Sequence, residues 1–217
     1  LDRLLHKWLD VDTGLDRALA VGSGPVVIGD VADNPGGGAP GDNTVILRRI
    51  IERQIANVAI GCFWDLGAIQ ICHDAGVGAT FDLRLGGKCG VASADPLDLR
   101  VTVRALSDHH TQSISGLTIP FGRAVWLEAA NGVDIVLASV RNQVVGVDAF
   151  TGLGIDFESK RLVVVKSTQH FQAEFAPRAK AILHIAAPGA VTPSFADLNY
   201  QRRDLNYWPR VSNPFEA

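Results

Sequence analysis

The spacing of apolar and polar residues changes from one segment of this chain to the next, and it predicts where helices and strands lie. Short runs of β-branched residues at 25–31 and 57–62 are typical of strands that are buried on both faces of a sheet. The segment 44–54 between them carries apolar residues on one helical face and charged residues on the other, which predicts an amphipathic helix. A strand, a helix and a second buried strand in this order indicate a βαβ unit with parallel strands.

The middle of the chain changes to an alternating period, which is typical of antiparallel strands. Asn131-Gly132 favours a hairpin between two of these strands, because both residues tolerate positive φ. We expect a section that is partly separate from the βαβ unit. The predicted fold class is mixed α/β, with buried parallel strands in the βαβ unit and an antiparallel, β-rich middle section. Its strands are predicted at 79–85, 97–106, 123–129 and 133–140.

The two ends of the chain complete the predicted organisation. The first 20 residues indicate a helix with a break near 12–14, and a flexible joint follows at 21–24. We expect residues 1–24 to lead in from an N-terminal domain outside this chain and residues 25–217 to form one domain. The tail after residue 187 is expected to wrap the surface. Further elements are predicted as helices at 66–75, at 148–153 and before Pro177, and as strands at 161–166 and 181–187.

Composition and charge exclude several classes of function. The 217 residues are 47% hydrophobic and 20% charged, which is ordinary for a globular domain. The formal net charge is −3 without a dense basic stripe, so nucleic acid and anionic membranes are disfavoured as partners. The sequence shows neither a membrane-spanning apolar run nor a signal-peptide pattern. Cys62, Cys72 and Cys89 lack CxxC spacing and are predicted to be buried thiols of a reducing, cytoplasmic protein.

Polar side chains gather at the ends of the predicted strands. Two aspartates and an asparagine follow the first strand, and three glycines then form a loop in which no Cβ blocks the approach of a ligand. The carboxyl ends of parallel strands meet at one sheet edge, where ligands of α/β proteins bind. The residues expected at this edge are Asp30, Asp33, Asn34, Gly36, Gly37, Gly38, Trp64, Asp65, Arg84, Lys88, Lys166, Ser167 and His170.

Structural roles remain open for several of these side chains. Asp30 and Asp33 could cap turns, and Asp42 or Asn43 is expected to be the N-cap of the helix that follows the loop. Lys166 could form a structural salt bridge with an aspartate, and His170 could be an ordinary residue at a helix N-terminus. Gathered at one edge, carboxylates, a lysine and a histidine beside a glycine loop would suit an anionic or peptide-like ligand.

Complete catalytic and nucleotide-binding motifs are absent from the sequence. The glycine loop fits neither GxxxxGK[ST] nor GxGxxG, and the chain contains no HExxH and no GxSxG segment. His109 and His110 are adjacent in a polar segment, for which we predict a solvated loop. The sequence by itself therefore predicts no catalytic residue and no metal ligand in this chain.

Three motifs occur in an order that resembles a known family. They are DVADNPGGGAPGD from Asp30, DLRLGGK from Asp82 and VKSTQHF from Val165. This set resembles the C-terminal domain of the MlrC-like proteins, which are microcystin-degradation metallopeptidases, over about residues 25–187.

The resemblance implies a two-domain zinc peptidase that hydrolyses small peptides, linearised cyclic peptides included. In that family the zinc ligands belong to the N-terminal domain, so a zinc cofactor is implied for the intact protein and none within this chain. The implied partners are that N-terminal domain and a small peptide. The alternative function is an anion- or phosphate-binding module without catalysis. The residues placed in a cleft facing the other domain are Asp30, Asp33, Asn34, Gly36, Gly37, Gly38, Arg84, Lys88, Lys166 and His170.

Overall fold

The computed structural model describes residues 8–216 of the chain. The first helix begins where the Asp10 side chain accepts a hydrogen bond from the Thr13 backbone N–H. Within these residues the helices are α1 (Val11–Ala20), α2 (Val45–Glu52), α3 (Leu66–Ala75), α4 (Asp148–Thr151) and α5 (Gln172–Phe175). The strands are β1 (Val26–Asp30), β2 (Val58–Phe63), β3 (Thr80–Leu85), β4 (Leu97–Ile114), β5 (Leu117–Ala129), β6 (Val133–Ala138), β7 (Leu162–Val165) and β8 (Ala181–Ile185).

One eight-stranded sheet joins the strands of the described residues, in the order β3-β4-β5-β6-β2-β7-β1-β8. The neighbours from β6 to β8 pair in parallel, and the pairs β3–β4, β4–β5 and β5–β6 are antiparallel. The predicted mixed α/β fold is confirmed. The antiparallel section is not separate from the parallel one, however, because β5 pairs directly with β6. β1 and β2 are parallel as predicted, with β7 inserted between them.

A bend in β4 brings the end of β3 back to the carboxyl edge of the parallel strands. β4 pairs with β3 up to Thr102 and with β5 from Thr102 onward, and its register shifts after Val103. Because α3 carries the chain back from the end of β2, β3 begins at the opposite end of the sheet and returns. The Gly86 backbone N–H therefore reaches the Asp65 carboxylate at the end of β2, at 3.0 Å.

Both faces of the parallel strands are covered, which explains their continuous apolar runs. One face packs against α1, α2 and α3, to which Leu15, Ile46 and Ile69 contribute buried side chains. The other face packs against α4 and α5, where Phe150 and Phe175 meet edge to face with ring centroids 6.4 Å apart. The carboxyl edge between these two layers is consequently the place where loops from several strands come together.

The N-terminal prediction needs two corrections. Residues 1–7 of the predicted helix lie outside the described residues, and Trp8, Leu9 and Asp10 are not helical. The expected break at 12–14 is absent, because α1 runs through these positions and its buried Leu15 packs in the core.

The polar segment around the paired histidines is a strand and not a solvated loop, so that prediction is wrong. β4 continues to Ile114 and forms a long hairpin with β5. His110 is buried, its ring stacks on Phe121, and one ring nitrogen lies 3.0 Å from the Ala149 carbonyl. Burial lowers the pKa of His110. Sequence polarity misled the prediction because His110 and Gln112 are buried and bond to backbone groups, while their neighbours His109 and Thr111 are exposed.

The remaining predictions for single segments have mixed outcomes. The Asn131-Gly132 turn joins β5 and β6 as predicted, with φ of 60° at Asn131. Cys62 and Cys72 are buried, whereas Cys89 is exposed, and the thiols of all three are free. No helix of residues 8–216 is long and apolar enough to cross a membrane.

Candidate functional site at the carboxyl edge

Three charged side chains are buried beneath the glycine loop, at the carboxyl ends of β1 and β7. Lys166 Nζ lies 2.7 Å from Asp33 Oδ2 and 3.3 Å from Asp30 Oδ2, and these side chains are 1–2% exposed. Nζ also donates to the Asn43 carbonyl at 2.9 Å and lies 4.4 Å from the centre of the Phe63 ring. We call Asp30, Asp33 and Lys166 the inner cluster.

Burial and pairing oppose each other in the inner cluster. Burial raises the pKa of Asp30 to about 6, although the Lys166 ammonium works against that shift. Burial alone would lower the pKa of Lys166, but the carboxylates of Asp33 and Asp30 outweigh it and the pKa is raised. Asp30 Oδ1 is buried without a hydrogen-bond partner among the described residues. Lys166 is therefore charged at neutral pH, whereas the burial of Asp30 disfavours ionisation of the Asp30 carboxyl group.

The glycine loop, residues 34–41, is held by its own hydrogen bonds. Asp33 accepts from one backbone N–H of the loop through Oδ1 and from the Asn43 N–H through Oδ2, at 2.9 and 2.8 Å. Other loop N–H groups donate to oxygen atoms of Asn34 and Pro35. The loop residues whose N–H groups are used in this way are Gly36, Gly37, Gly38, Ala39 and Gly41.

Asp42 holds the β3–β4 loop, which is defined here as residues 86–96. Its Oδ2 accepts from the backbone N–H groups of Lys88 and Cys89 at 2.7 and 3.0 Å, and its Oδ1 accepts from the Ser93 hydroxyl. The predicted N-cap, Asp42 or Asn43, is wrong in position, because Thr44 occupies the N-cap of α2, although Asn43 Oδ1 accepts from the Val45 N–H at 2.9 Å. Asp42 is fully buried, so its carboxylate stabilises the loop and faces no ligand.

Asp65 connects the end of β2 with the same β3–β4 loop. One carboxylate oxygen caps α3 by accepting from the Ala68 N–H at 3.1 Å. The other accepts from the Gly86 N–H at 3.0 Å and from Lys88 Nζ at 2.7 Å. Lys88 is thus at the expected edge, but its ammonium is engaged by Asp65 and by the Arg84 carbonyl at 2.8 Å.

The predicted site residues separate into a buried group and an exposed group. The inner cluster is buried, as is Asn34, whose Nδ2 donates to the Thr168 hydroxyl at 3.0 Å. Gly36, Gly37 and Gly38 are exposed above it, and His170 is exposed nearby. His170 Nδ1 lies 3.2 Å from Gln143 Nε2. The strand ends do converge, but most of their carboxylates turn inward.

Arg84 is not part of this group. Its guanidinium forms a bidentate pair with Asp98, with nitrogen–oxygen distances of 2.8 and 2.7 Å, and its side chain is 66% exposed. The cause is the alternation of β3: Leu83 and Leu85 face the core, so Arg84 between them faces solvent.

Arg141 and Gln143 also lie at this edge, and neither was predicted from the sequence. Both lie in the segment after β6, whose end is a further strand end of the parallel sheet. The exposed Arg141 guanidinium lies over the Trp64 ring, 6.0 Å from its centre. We call Trp64, Arg141, Gln143 and His170 the outer rim. The signal for Arg141 and Gln143 in the sequence was the polar run 141–143, which begins shortly after the end of β6.

The described part of the chain does not fit a zinc site. Among residues 8–216, no three His, Cys, Asp or Glu side chains are grouped so that they could hold a metal ion. The aspartates of the carboxyl edge accept hydrogen bonds from backbone N–H groups or from Lys166, which leaves no open set of donors. Partial desolvation of its sulfur, together with the nearby Asp42 carboxylate, raises the pKa of Cys89 to about 11, so this thiol is a poor ligand at neutral pH.

The fold matches that of a solved structure from Mesorhizobium sp. BNC1, of a protein assigned as a metallopeptidase. The TM-score is 0.82, and the match covers 96% of this chain and 42% of the other. At 23% sequence identity, this similarity shows the fold. The class of protein is therefore a mixed α/β domain of the type found in that larger chain.

Sequence comparison then identifies the family. The family model described as MlrC C-terminus matches residues 28–202, and the chain belongs to this family. It is also similar to microcystinase C of Sphingomonas sp, with 36% identity over 195 residues, which is 90% of this chain. The chain spans 38% of the length of that relative. The resemblance drawn from the three motifs is confirmed.

Proposed function

We propose that this chain is the substrate-side domain of a cytoplasmic MlrC-type metallopeptidase that hydrolyses small peptides, linearised cyclic peptides included. In this proposal an N-terminal domain of the same protein holds the catalytic zinc, and the outer rim and the exposed glycines contact the peptide. The observation that carries the proposal is family membership combined with partial coverage, since 62% of the length of microcystinase C remains unmatched.

The geometry of the carboxyl edge supports a role in binding. The inner cluster and the hydrogen bonds of the glycine loop fix the loop, so Gly36, Gly37 and Gly38 form a preorganised surface without side chains. A Cβ placed on Gly38 would have open space around it, whereas one on Gly36 or Gly37 would meet the side chain of Gln143 or Val191, so the open part of this surface is at Gly38. A rigid backbone surface without protruding side chains, next to polar side chains, allows the close approach of an extended peptide.

The alternative of an anion-binding loop is disfavoured by the same geometry. A phosphate cradle needs free backbone N–H groups at the loop and the helix N-terminus. Here the N–H groups of Gly36, Gly37, Gly38 and Gly41 already donate to oxygen atoms of the chain itself, and Asp33 is one of the acceptors. The chain thus supplies its own anion at the place where a phosphate would bind.

Peptide hydrolysis by the longer protein and by this chain alone tests the proposal. We expect the longer protein to cleave a linear tetrapeptide, to lose activity with EDTA and to regain it with Zn²⁺, and we expect this chain alone to be inactive. His170→Ala in the longer protein should raise KM roughly three- to tenfold with little change in kcat, because a binding contact is removed.

Gln169→Ala is the matched control, because Gln169 is an exposed neighbour of His170 and should leave KM unchanged. Undiminished cleavage in EDTA would contradict the metallopeptidase assignment. Cleavage by this chain alone would contradict the proposal that the catalytic zinc is bound by another domain.

A further inference from the structure

At the carboxyl edge the carboxylates are buried, whereas hydrogen-bond donors of the outer rim are exposed to solvent. The carboxylates of Asp30, Asp33, Asp42 and Asp65 are at most 4% exposed and are engaged by Lys166, Lys88 or backbone N–H groups. The outer rim instead presents a guanidinium and an imidazole to solvent. The chain as a whole has a formal net charge of −3, so this outward excess of donors is a local feature.

Arg141 is the exposed cation of the outer rim. Within residues 8–216 it forms no ion pair, whereas the exposed Arg84 and Arg178 each pair with a carboxylate. Its guanidinium lies over Trp64, 6.0 Å from the ring centre, and the indole N–H donates to the Ser139 carbonyl at 3.0 Å. An exposed guanidinium beside an aromatic ring, without an ion-pair partner among these residues, can make bidentate contact with a carboxylate.

Gln143 orients a second donor. Its side-chain amide nitrogen lies 3.2 Å from His170 Nδ1, and because an amide N–H can only donate, this contact fits the tautomer with the proton on Nε2. In that tautomer the exposed ring offers the Nε2–H group as a hydrogen-bond donor.

The two donor pairs flank the glycine loop on its outer side. The Trp64 backbone N–H donates to the Gly41 carbonyl at 3.0 Å, which joins the arginine stack to one end of the loop. At the other end, a Cβ on Gly36 would lie 2.6 Å from Gln143 Oε1, so the glycine makes room for this side chain. Arg141 and Gln143 are two residues apart, so one segment contributes to both pairs.

We propose that the outer rim is a carboxylate-recognition subsite, in which Arg141 binds a carboxylate of a peptide and His170 donates a hydrogen bond to the same bound segment. This inference rests on the proposed peptide function and adds the class of substrate, a peptide with a free carboxylate near the bound segment. The carboxylate comes from the peptide C-terminus or from an acidic side chain, and the two sources share the same contacts. Trp64 and Gln143 act as positioning residues for the two donors.

Binding of three capped dipeptides to this chain tests the subsite. The probes are N-acetyl-Ala-Ala with a free C-terminal carboxylate, its C-terminal amide, and N-acetyl-Asp-Ala amide, whose carboxylate is on a side chain. We expect at least one of the two carboxylate probes to bind roughly tenfold tighter than the neutral amide. The NMR resonances of the Arg141 Nε–H and the Trp64 indole N–H should shift on titration, and the preferred probe identifies the source of the carboxylate.

Arg141→Gln should remove the tenfold preference and leave binding of the neutral amide unchanged. Arg104→Gln is the matched control, since Arg104 is also an exposed arginine over a tryptophan, 5.7 Å from the Trp126 ring, but lies away from the carboxyl edge. Equal affinity for all three probes, or a preference that survives in Arg141→Gln, overturns the subsite and leaves peptide binding intact. Acetate as a fourth probe separates the two proposals: shifts at Arg141 with acetate but with no peptide keep the subsite and overturn the peptide function.

Discussion

The inner cluster and the outer rim arise from the same strand ends but use charge in opposite ways. Asp33 and Lys166 are almost completely buried, and their bonds run to each other and to the loop backbone. Arg141 and His170 are exposed and present hydrogen-bond donors to solvent. Charged residues gathered at a strand end are therefore not all ligand contacts, because some of them fix the loop beside which the others are exposed.

A second contrast concerns what each region tolerates. A buried ion cluster is sensitive to the loss of one member, because the remaining charges have neither water nor a partner. An exposed donor can be removed with little change in the free energy of unfolding, since water replaces its partner. Substitutions should therefore separate the two regions into one that controls stability and one that controls binding.

The largest effect is expected for Lys166→Met. The variant leaves Asp30 and Asp33 buried without a cation and removes the donor to the Asn43 carbonyl. We expect the free energy of unfolding to fall by about 3 kcal/mol or more, as measured by urea denaturation. The matched control is Lys180→Met at an exposed position, for which a change within about 0.5 kcal/mol is expected. A loss below about 1 kcal/mol in Lys166→Met would show that the cluster does not stabilise the fold.

The next effect is a dependence of stability on pH that Asp30 causes. Its folded pKa of about 6 lies above the ordinary value of 3.8, so the folded state binds a proton more tightly than the unfolded state does. This contribution to stability is fully present below about pH 4 and is lost as the pH rises through about 6. Two pKa units correspond to about 3 kcal/mol at most.

Asp30→Asn tests this dependence, because it keeps the shape of the side chain and cannot titrate. Urea denaturation at several values between pH 4 and pH 7 should show that the advantage of the wild-type chain at low pH shrinks towards neutral pH. Asp98→Asn serves as the control, since Asp98 is exposed and Arg84 lowers its pKa, which gives a dependence of the opposite sign. Identical pH profiles for the wild-type chain and Asp30→Asn would refute the assignment.

Sequence patterns were sufficient for features that depend on neighbouring residues. The buried β-branched run of β1, the Asn131-Gly132 turn and the convergence of strand ends follow from local periods and from the geometry of parallel sheets. The long β4–β5 hairpin was missed because His110 and Gln112 look solvated in sequence. In the fold they bond to backbone groups 30 or more residues away.

The direction of a side chain at the site could not be predicted in the same way. Whether Asp33 faces a ligand or its own loop depends on Lys166, which is 133 residues away in sequence. Arg141 was overlooked for a related reason. Only the fold places its segment beside Trp64 from another strand end. Residue type identified where charges gather, and tertiary contacts decided which of them are free to bind.

The smallest effect is expected for Arg84→Ala, which separates motif membership from contact with a ligand. Arg84 belongs to the DLRLGGK motif, yet it pairs with Asp98 on the solvent side of β3. Because water readily replaces an exposed ion pair, we expect Tm to change by at most about 2 °C. Affinity for the free-carboxylate dipeptide should also stay unchanged, whereas Arg141→Gln lowers it. If Arg84→Ala weakened dipeptide binding as much as Arg141→Gln, the binding surface would extend to β3 and the boundary drawn around the outer rim would be wrong.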